Sequence, residues 1–277
     1  MLQILKLGPF SFYTFGLLFA ASICLGTALF LRYFREHSIR VNPVSLSTTL
    51  IVAGFLGAKL DNFLVLSTYL LHRDTAGLDF FRGGYTYLGC VLGGVLAGVA
   101  YIHLHRMPWL RSLDSLYSIA PAYALGRVGC FLAGDGDYGQ PSTLPWAVAF
   151  PHGLTPSLVR VHPTMLYSSL WELAIFLILV RVDRRQSRPG VLFGSYLLLS
   201  SAGRFSVEFL SRNLVLAWRM TEAQVVSLVL FTIGCVTLIA VSTLPGKAIA
   251  LLARPTLDSA KRLRKMHDGS VACVVHL

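Results

Sequence analysis

The chain has 277 residues, of which 55% are hydrophobic and only 13% charged, with a formal net charge of +11 and a mean hydropathy of +0.64. A soluble domain carries about 25% charged residues, so this composition excludes an ordinary water-exposed globule. The excess of positive charge could indicate nucleic acid, but it falls in blocks between apolar runs rather than on one face, and no nucleic-acid partner is expected.

A run of about 20 apolar residues spans a bilayer, and seven such runs are legible, at 11–33, 46–66, 83–105, 113–133, 164–181, 190–210 and 222–244. They predict an all-α, polytopic membrane protein of about seven transmembrane helices. The first run is too long for a cleaved leader, and only Lys6 precedes it, so it reads as a retained helix. Residues 1–245 are expected to form one membrane domain and 246–277 a basic cytoplasmic tail. The cysteines at 24, 90, 130, 235 and 273 show no metal-ligand spacing, and neither a metal nor a cofactor is expected.

Charge sets the expected orientation. Fifteen Lys and Arg residues follow helices 1, 3, 5 and 7, while six lie on the opposite side. Cytoplasmic segments collect Lys and Arg, so the N-terminus is expected outside and the C-terminus in the cytoplasm. The longest connection, 134–163, then lies outside. It contains five prolines and four glycines and shows no clear periodicity, and long connections of this kind are often functional.

Three cations remain, and all lie inside predicted spans: Lys59, Arg127 and Arg204. An ionised side chain in the bilayer is a functional hypothesis by default. At 13 to 14 residues from the cytoplasmic ends of their helices, all three stand roughly 20 Å up. Asp61 and Glu208 share that half of the membrane, with Glu208 at i+4 from Arg204. A single such arginine could be a structural pin, and Lys59 could pair with Asp61. Three cations at one depth on three helices fit a shared anion site better, since the planar guanidinium fork suits phosphate oxygens. A phosphate resident in the outer half of a membrane belongs most naturally to a phospholipid. Gly126, Gly129 and Gly203 flank the arginines; they expose backbone there or, alternatively, let helices pack closely.

Gly126-Arg127-Val128-Gly129-Cys130-Phe131-Leu132-Ala133-Gly134, followed by Tyr138-Gly139 and Leu144-Pro145-Trp146-Ala147-Val148-Ala149-Phe150-Pro151, resembles the signature of the prolipoprotein diacylglyceryl transferases. His162-Pro163-Thr164-Met165-Leu166-Tyr167 and Gly203-Arg204-Phe205-Ser206-Val207-Glu208 resemble two further family segments. Arg82-Gly83-Gly84 with Gly89, and Tyr13-Thr14-Phe15-Gly16, resemble parts of its third and first helices. The resemblance runs in order from about residue 10 to 244. It implies a bacterial inner-membrane enzyme that moves diacylglyceryl from phosphatidylglycerol to the lipobox cysteine of a preprolipoprotein, releasing glycerol phosphate. The expected partners are phosphatidylglycerol and other membrane lipid, and the lipobox-bearing signal peptide.

Several positions depart from the family pattern. Leu88 stands where many members have His, Phe15 where many have Tyr, Cys130 for Asn, Met165 for Gln and Ser168 for an acidic residue. The 134–139 turn is one residue longer than usual. Alkylating a thiol benefits from a base, because a free cysteine has a pKa of about 8.5, and from charge stabilisation on the departing phosphate. Arg127 and Arg204 suit the second role. With Leu88 unable to act, Asp135, Asp137 and His162 are the candidates for the first, although the aspartates also suit turn positions and His162 a loop hydrogen bond. The expected catalytic residues are thus Arg127, Arg204, Asp137 and His162. The expected substrate-binding residues are Gly126, Gly129, Cys130, Asp135, Tyr138, Gly139, Tyr167, Glu208 and Lys59. The competing readings are a phospholipid-binding relative that keeps the fold without the chemistry and, more weakly, a transporter.

Overall fold

The computed structural model describes residues 4–7, 10–39, 42–70, 87–184, 188–213 and 220–244. The basic tail, Arg82 and Gly83-Gly84 lie outside the described residues, and so does the labelling position Ser270 used below.

The protein is mostly helical. Its helices are α1 (Thr14–Glu36), α2 (Pro43–Leu70), α3 (Tyr87–Leu104), α4 (Trp109–Asp114), α5 (Ala120–Ala133), α6 (Thr164–Arg184), α7 (Val191–Glu208) and α8 (Glu222–Thr243), with a 3-10 turn, Ser115–Ile119, joining α4 to α5. Among the described residues, five stretches are long and apolar enough to cross a membrane: Thr14–Glu36, Val44–Phe63, Trp109–Ala133, Thr164–Arg184 and Glu222–Thr243. The chain is a multi-pass membrane protein. Helix α7 is not among the five, and it carries Arg204, Glu208 and several serines in its second half.

Two short hairpins add strand to the expected all-helical plan. The first, β1 (Ile4–Leu7) with β2 (Phe10–Tyr13), takes up residues expected to begin the first helix, so α1 starts at Thr14. The second, β3 (Val148–Phe150) with β4 (Ser157–Val161), organises the long connection. Their alternation is too brief to stand out from the apolar and Pro-rich stretches around them.

The described residues divide into two compact units, one comprising those up to Tyr33 and from Leu113 onward, the other those from Phe34 to Ser112. In the second unit α2 and α3 cross through glycines. A Cβ on Gly57 would lie 2.9 Å from the Gly93 backbone, and a Cβ on Gly93 would lie 3.1 Å from Gly57. Lys59 sits half-buried on this α2.

In the first unit the same device joins α1 to α5. Gly26 faces Ala122, Gly126 faces Ser22, and Gly129 faces Leu18 and Phe15. Small residues let helix backbones approach where no hydrophobic effect drives association. The Ser169 hydroxyl donates to Ala124 O (2.9 Å) and ties α6 to α5, while Trp171 Nε1 donates to Leu199 O (2.9 Å) and ties α6 to α7. Gly203 lies against the Trp171 indole, where no Cβ fits. The carboxylate of Asp114 is fully buried and accepts from the backbone N–H groups of Gly190 (2.8 Å) and Phe193 (2.9 Å), so it caps the start of α7. At the other end, Tyr138, Phe150, Val161 and Met165 form a buried cluster under the long connection, joined by Cys130, Phe131 and Val148.

Candidate active site

Three helices of the first unit, α5, α6 and α7, bring the ionisable groups together. Arg127 lies nearly two turns before the end of α5, with its side chain 13% exposed. The helix stops at Gly134, which takes the left-handed conformation (φ +63°) and returns its N–H to Cys130 O (2.9 Å). A glycine adopts that backbone without strain. The reversal carries the chain back so that Asp137 Oδ2 meets Arg127 Nη1 at 2.5 Å.

Asp135 and Asp137 divide the two roles that their spacing suggests. Asp135 Oδ1 accepts the backbone N–H of Asp137 (3.2 Å), a turn function, and its carboxylate lies within electrostatic reach of the Cys130 thiol. Asp137 carries the ion pair. Its carbonyl accepts the Thr164 hydroxyl at 2.5 Å, which fixes the turn to the start of α6.

The Tyr138 hydroxyl is shared between the carbonyls of Gly134 (2.6 Å) and Thr155 (2.5 Å), and its ring stacks on Phe150 at 4.2 Å. Burial, and secondarily the Asp135 charge, pushes its phenol up from the ordinary tyrosine value. Gly139 is required by close approach, since a Cβ there would lie 2.5 Å from Leu210 O and 2.7 Å from the His162 Cβ. Backbone bonds from Gly139 N to His162 O (2.9 Å) and from Gln140 N to Leu210 O (2.7 Å) sew this segment to the approach to α6 and to the end of α7. Tyr138 and Gly139 therefore build the turn that presents Asp137. His162 Nδ1 lies 3.2 Å from the Tyr167 hydroxyl, which itself accepts Trp146 Nε1 at 2.8 Å. His162 and Tyr167 thus belong to a chain anchored in the long connection.

On α7, Arg204 Nη1 lies 2.9 Å from Glu208 Oε2, one turn on. The Glu208 side chain is fully buried, while that of Arg204 is 30% exposed. Asn213 Nδ2 donates to the other carboxylate oxygen at 2.7 Å. Tyr123, one turn before Arg127, stands within electrostatic reach of Arg127, Arg204, Glu172 and Asp137. Arg127 Nε is buried with no hydrogen-bond partner, and an unfilled buried donor is costly unless a ligand completes it.

The structure thus pairs Arg127 with Asp137 and Arg204 with Glu208, with Cys130, Asp135, Tyr138 and Gly139 in or beside the turn that presents Asp137. Gly126 and Gly129 face α1, in a packing position. Lys59 belongs to the other unit. Sequence reasoning missed Tyr123, Asn213 and Glu172. Glu172 carries a usable signal, an acidic residue inside the predicted span 164–181.

Residues 3–240 match the family model described as prolipoprotein diacylglyceryl transferase. Among similar proteins, one from Symbiobacterium thermophilum is 34% identical over 244 residues, covering 84% of this chain and 90% of the relative. One from Thermosynechococcus vestitus is 32% identical over 240 residues (83% and 88%), and one from Clostridioides difficile 29% identical over 217 (78% and 85%). Each of the three is named phosphatidylglycerol–prolipoprotein diacylglyceryl transferase.

Proposed function

The chain belongs to the prolipoprotein diacylglyceryl transferase family, and from that premise we propose that it moves the diacylglyceryl group of phosphatidylglycerol onto the lipobox cysteine of a prolipoprotein in the bacterial inner membrane. The observation that carries this reading is the buried Nε of Arg127, which lacks an acceptor, with Arg127 and Arg204 both in electrostatic reach of Tyr123. A phosphate oxygen supplies that acceptor.

In the reaction the thiol sulfur bonds to the glycerol carbon and the carbon–oxygen bond to phosphate breaks. Glycerol phosphate departs with the electron pair. Negative charge on the phosphate grows along this path, so guanidinium groups fixed beside it stabilise the transition state more than the bound lipid. The two arginines have different partners. Glu208 is buried and holds Arg204 in place, whereas the Asp137 side chain is 51% exposed and can turn to water as phosphate replaces it on Arg127.

The same reading has seven spans, the 134–163 connection outside and the tail inside, supported by the charge split. Cysteine labelling of intact cells at Ser142 but not at Ser270 is the expected outcome, and the reverse pattern inverts the topology. The activity test is mass-spectrometric detection of a thioether-linked diacylglyceryl adduct on a lipobox peptide, with full-length protein in phosphatidylglycerol vesicles. If no adduct forms while lipid still binds, the lipid-binding reading replaces the enzymatic one.

A further inference from the structure

Glu172 lies on α6, 5% exposed. Its Oε1 accepts the Ser200 hydroxyl from α7, and its Oε2 is buried with no partner. One turn nearer the long connection on the same helix, the Ser168 hydroxyl is also buried (4% exposed) and without a partner. A buried carboxylate oxygen left unmatched is costly, and two unmatched polar atoms at i and i+4 share one helix face.

Their height follows from the helix bonds. Helix α6 starts at the long connection, and α7 ends there. The Glu172–Ser200 bond therefore defines a layer one turn below Arg204 on α7, about 6 Å toward the membrane centre. Glu172 and both arginines lie within electrostatic reach of Tyr123. A phospholipid whose phosphate sits at the arginines directs its diacylglyceryl carbon toward the membrane centre, on the Glu172 side. An in-line attack on that carbon brings the thiol in on the side away from phosphate.

Asp137, His162 and Glu208 lie nearer the long connection than Glu172 and face charged or polar partners. Asp137 Oδ2 holds Arg127, Glu208 holds Arg204 and Asn213, and His162 Nδ1 faces the Tyr167 hydroxyl. We infer that Glu172 is the proton acceptor for the incoming thiol, an inference that rests on the transferase reading above. The sulfur–carbon bond forms, the carbon–oxygen bond breaks toward phosphate, and the thiol proton passes to Glu172 Oε2. It then leaves to water with the product, which restores the carboxylate.

The experiment compares two lipobox peptides, one with cysteine and one with selenocysteine, on full-length protein in phosphatidylglycerol vesicles. A selenol is already ionised at neutral pH and needs no base. Glu172→Gln is expected to lower thiol turnover about 100-fold or more, to leave selenol turnover within a few-fold of wild type and to leave KM for the lipid unchanged. Equal losses on both acceptors, no loss on the thiol, or a raised KM with intact kcat each overturn the assignment. If Glu172→Gln fails to fold, the same comparison is made with Glu172→Asp, which keeps the carboxylate on a shorter stem. Its thiol-to-selenol rate ratio is expected to fall below that of wild type, and an unchanged ratio overturns the assignment. Wild-type protein that modifies neither peptide refutes the transferase reading itself, a failure visible before any variant is made.

Discussion

Arg127 and Asp137 meet at 2.5 Å across a ten-residue reversal, and they differ sharply in exposure, with side chains 13% and 51% open to solvent. The cation is held inside and its counter-charge stands at the edge. A buried cation with a removable partner is suited to exchanging one anion for another.

Arg127→Lys keeps the charge but loses the planar fork. Turnover is expected to drop about 10- to 100-fold, while binding of phosphatidylglycerol changes little. Arg127→Ala is expected to weaken both. Adduct formation and lipid binding, measured on the same preparations, separate the two effects.

The two carboxylates should respond differently to neutralisation. Asp137→Asn removes an exposed partner, so its effect on stability is expected to be below about 1 kcal/mol. Glu208→Gln disturbs a fully buried carboxylate that receives both Arg204 and Asn213 and is expected to cost about 1–3 kcal/mol. Thermal unfolding in detergent micelles is expected to show the larger fall in Tm for Glu208→Gln. Equal shifts would show that the difference in exposure has no energetic consequence.

Gly203→Ala puts a methyl group into the Trp171 indole. Overpacking of this kind costs about 1–3 kcal/mol. The larger expectation is functional: pushing α7 from α6 displaces Arg204 and loosens the bond between Ser200 and Glu172. Lower Tm together with lost adduct formation is expected. Full activity would mean that this contact does not set the position of Arg204.

Tyr138 gives an alkaline signature. Its phenol holds its proton more tightly in the folded state than in the unfolded chain. The stability it contributes is therefore complete below the unfolded tyrosine pKa of about 10 and is lost as pH rises from there through the folded value. Wild-type Tm is expected to fall more steeply above about pH 10 than that of Tyr138→Phe. The variant starts lower at neutral pH, because two carbonyls lose their shared donor. Parallel alkaline limbs would contradict this assignment.

What the sequence reveals depends on how local the relationship is. Arg127 and Arg204 stand out because charge interrupts apolar runs, and Glu208 pairs with Arg204 at the helical spacing i+4. The partnership of Arg127 with Asp137 is not legible, because it depends on a reversal at Gly134 whose direction no periodicity reports. Glycines beside the arginines could expose backbone to a ligand or admit a neighbouring helix, and only the position of α1 shows Gly126 and Gly129 meeting the latter. Glu172 was readable as a charge in a span, but its unmatched oxygen depends on where Ser200 on α7 comes to rest.

Asp114 gives α5 and α7 a common datum. It fastens the head of α7 beside the turn that leads into α5, so both helices are measured off from one buried carboxylate. From there to Arg127 the chain climbs roughly 22 Å, five residues of it in the steeper 3-10 form. From Gly190 to Arg204 it climbs roughly 21 Å. The two guanidinium groups are thus levelled by counting residues from a fixed mark. Inserting one residue between the mark and either arginine would lift that side chain by about 1.5 Å and swing it by about 100° around its helix. The distance from Asp114 is therefore constrained as tightly as the identity of the arginines themselves.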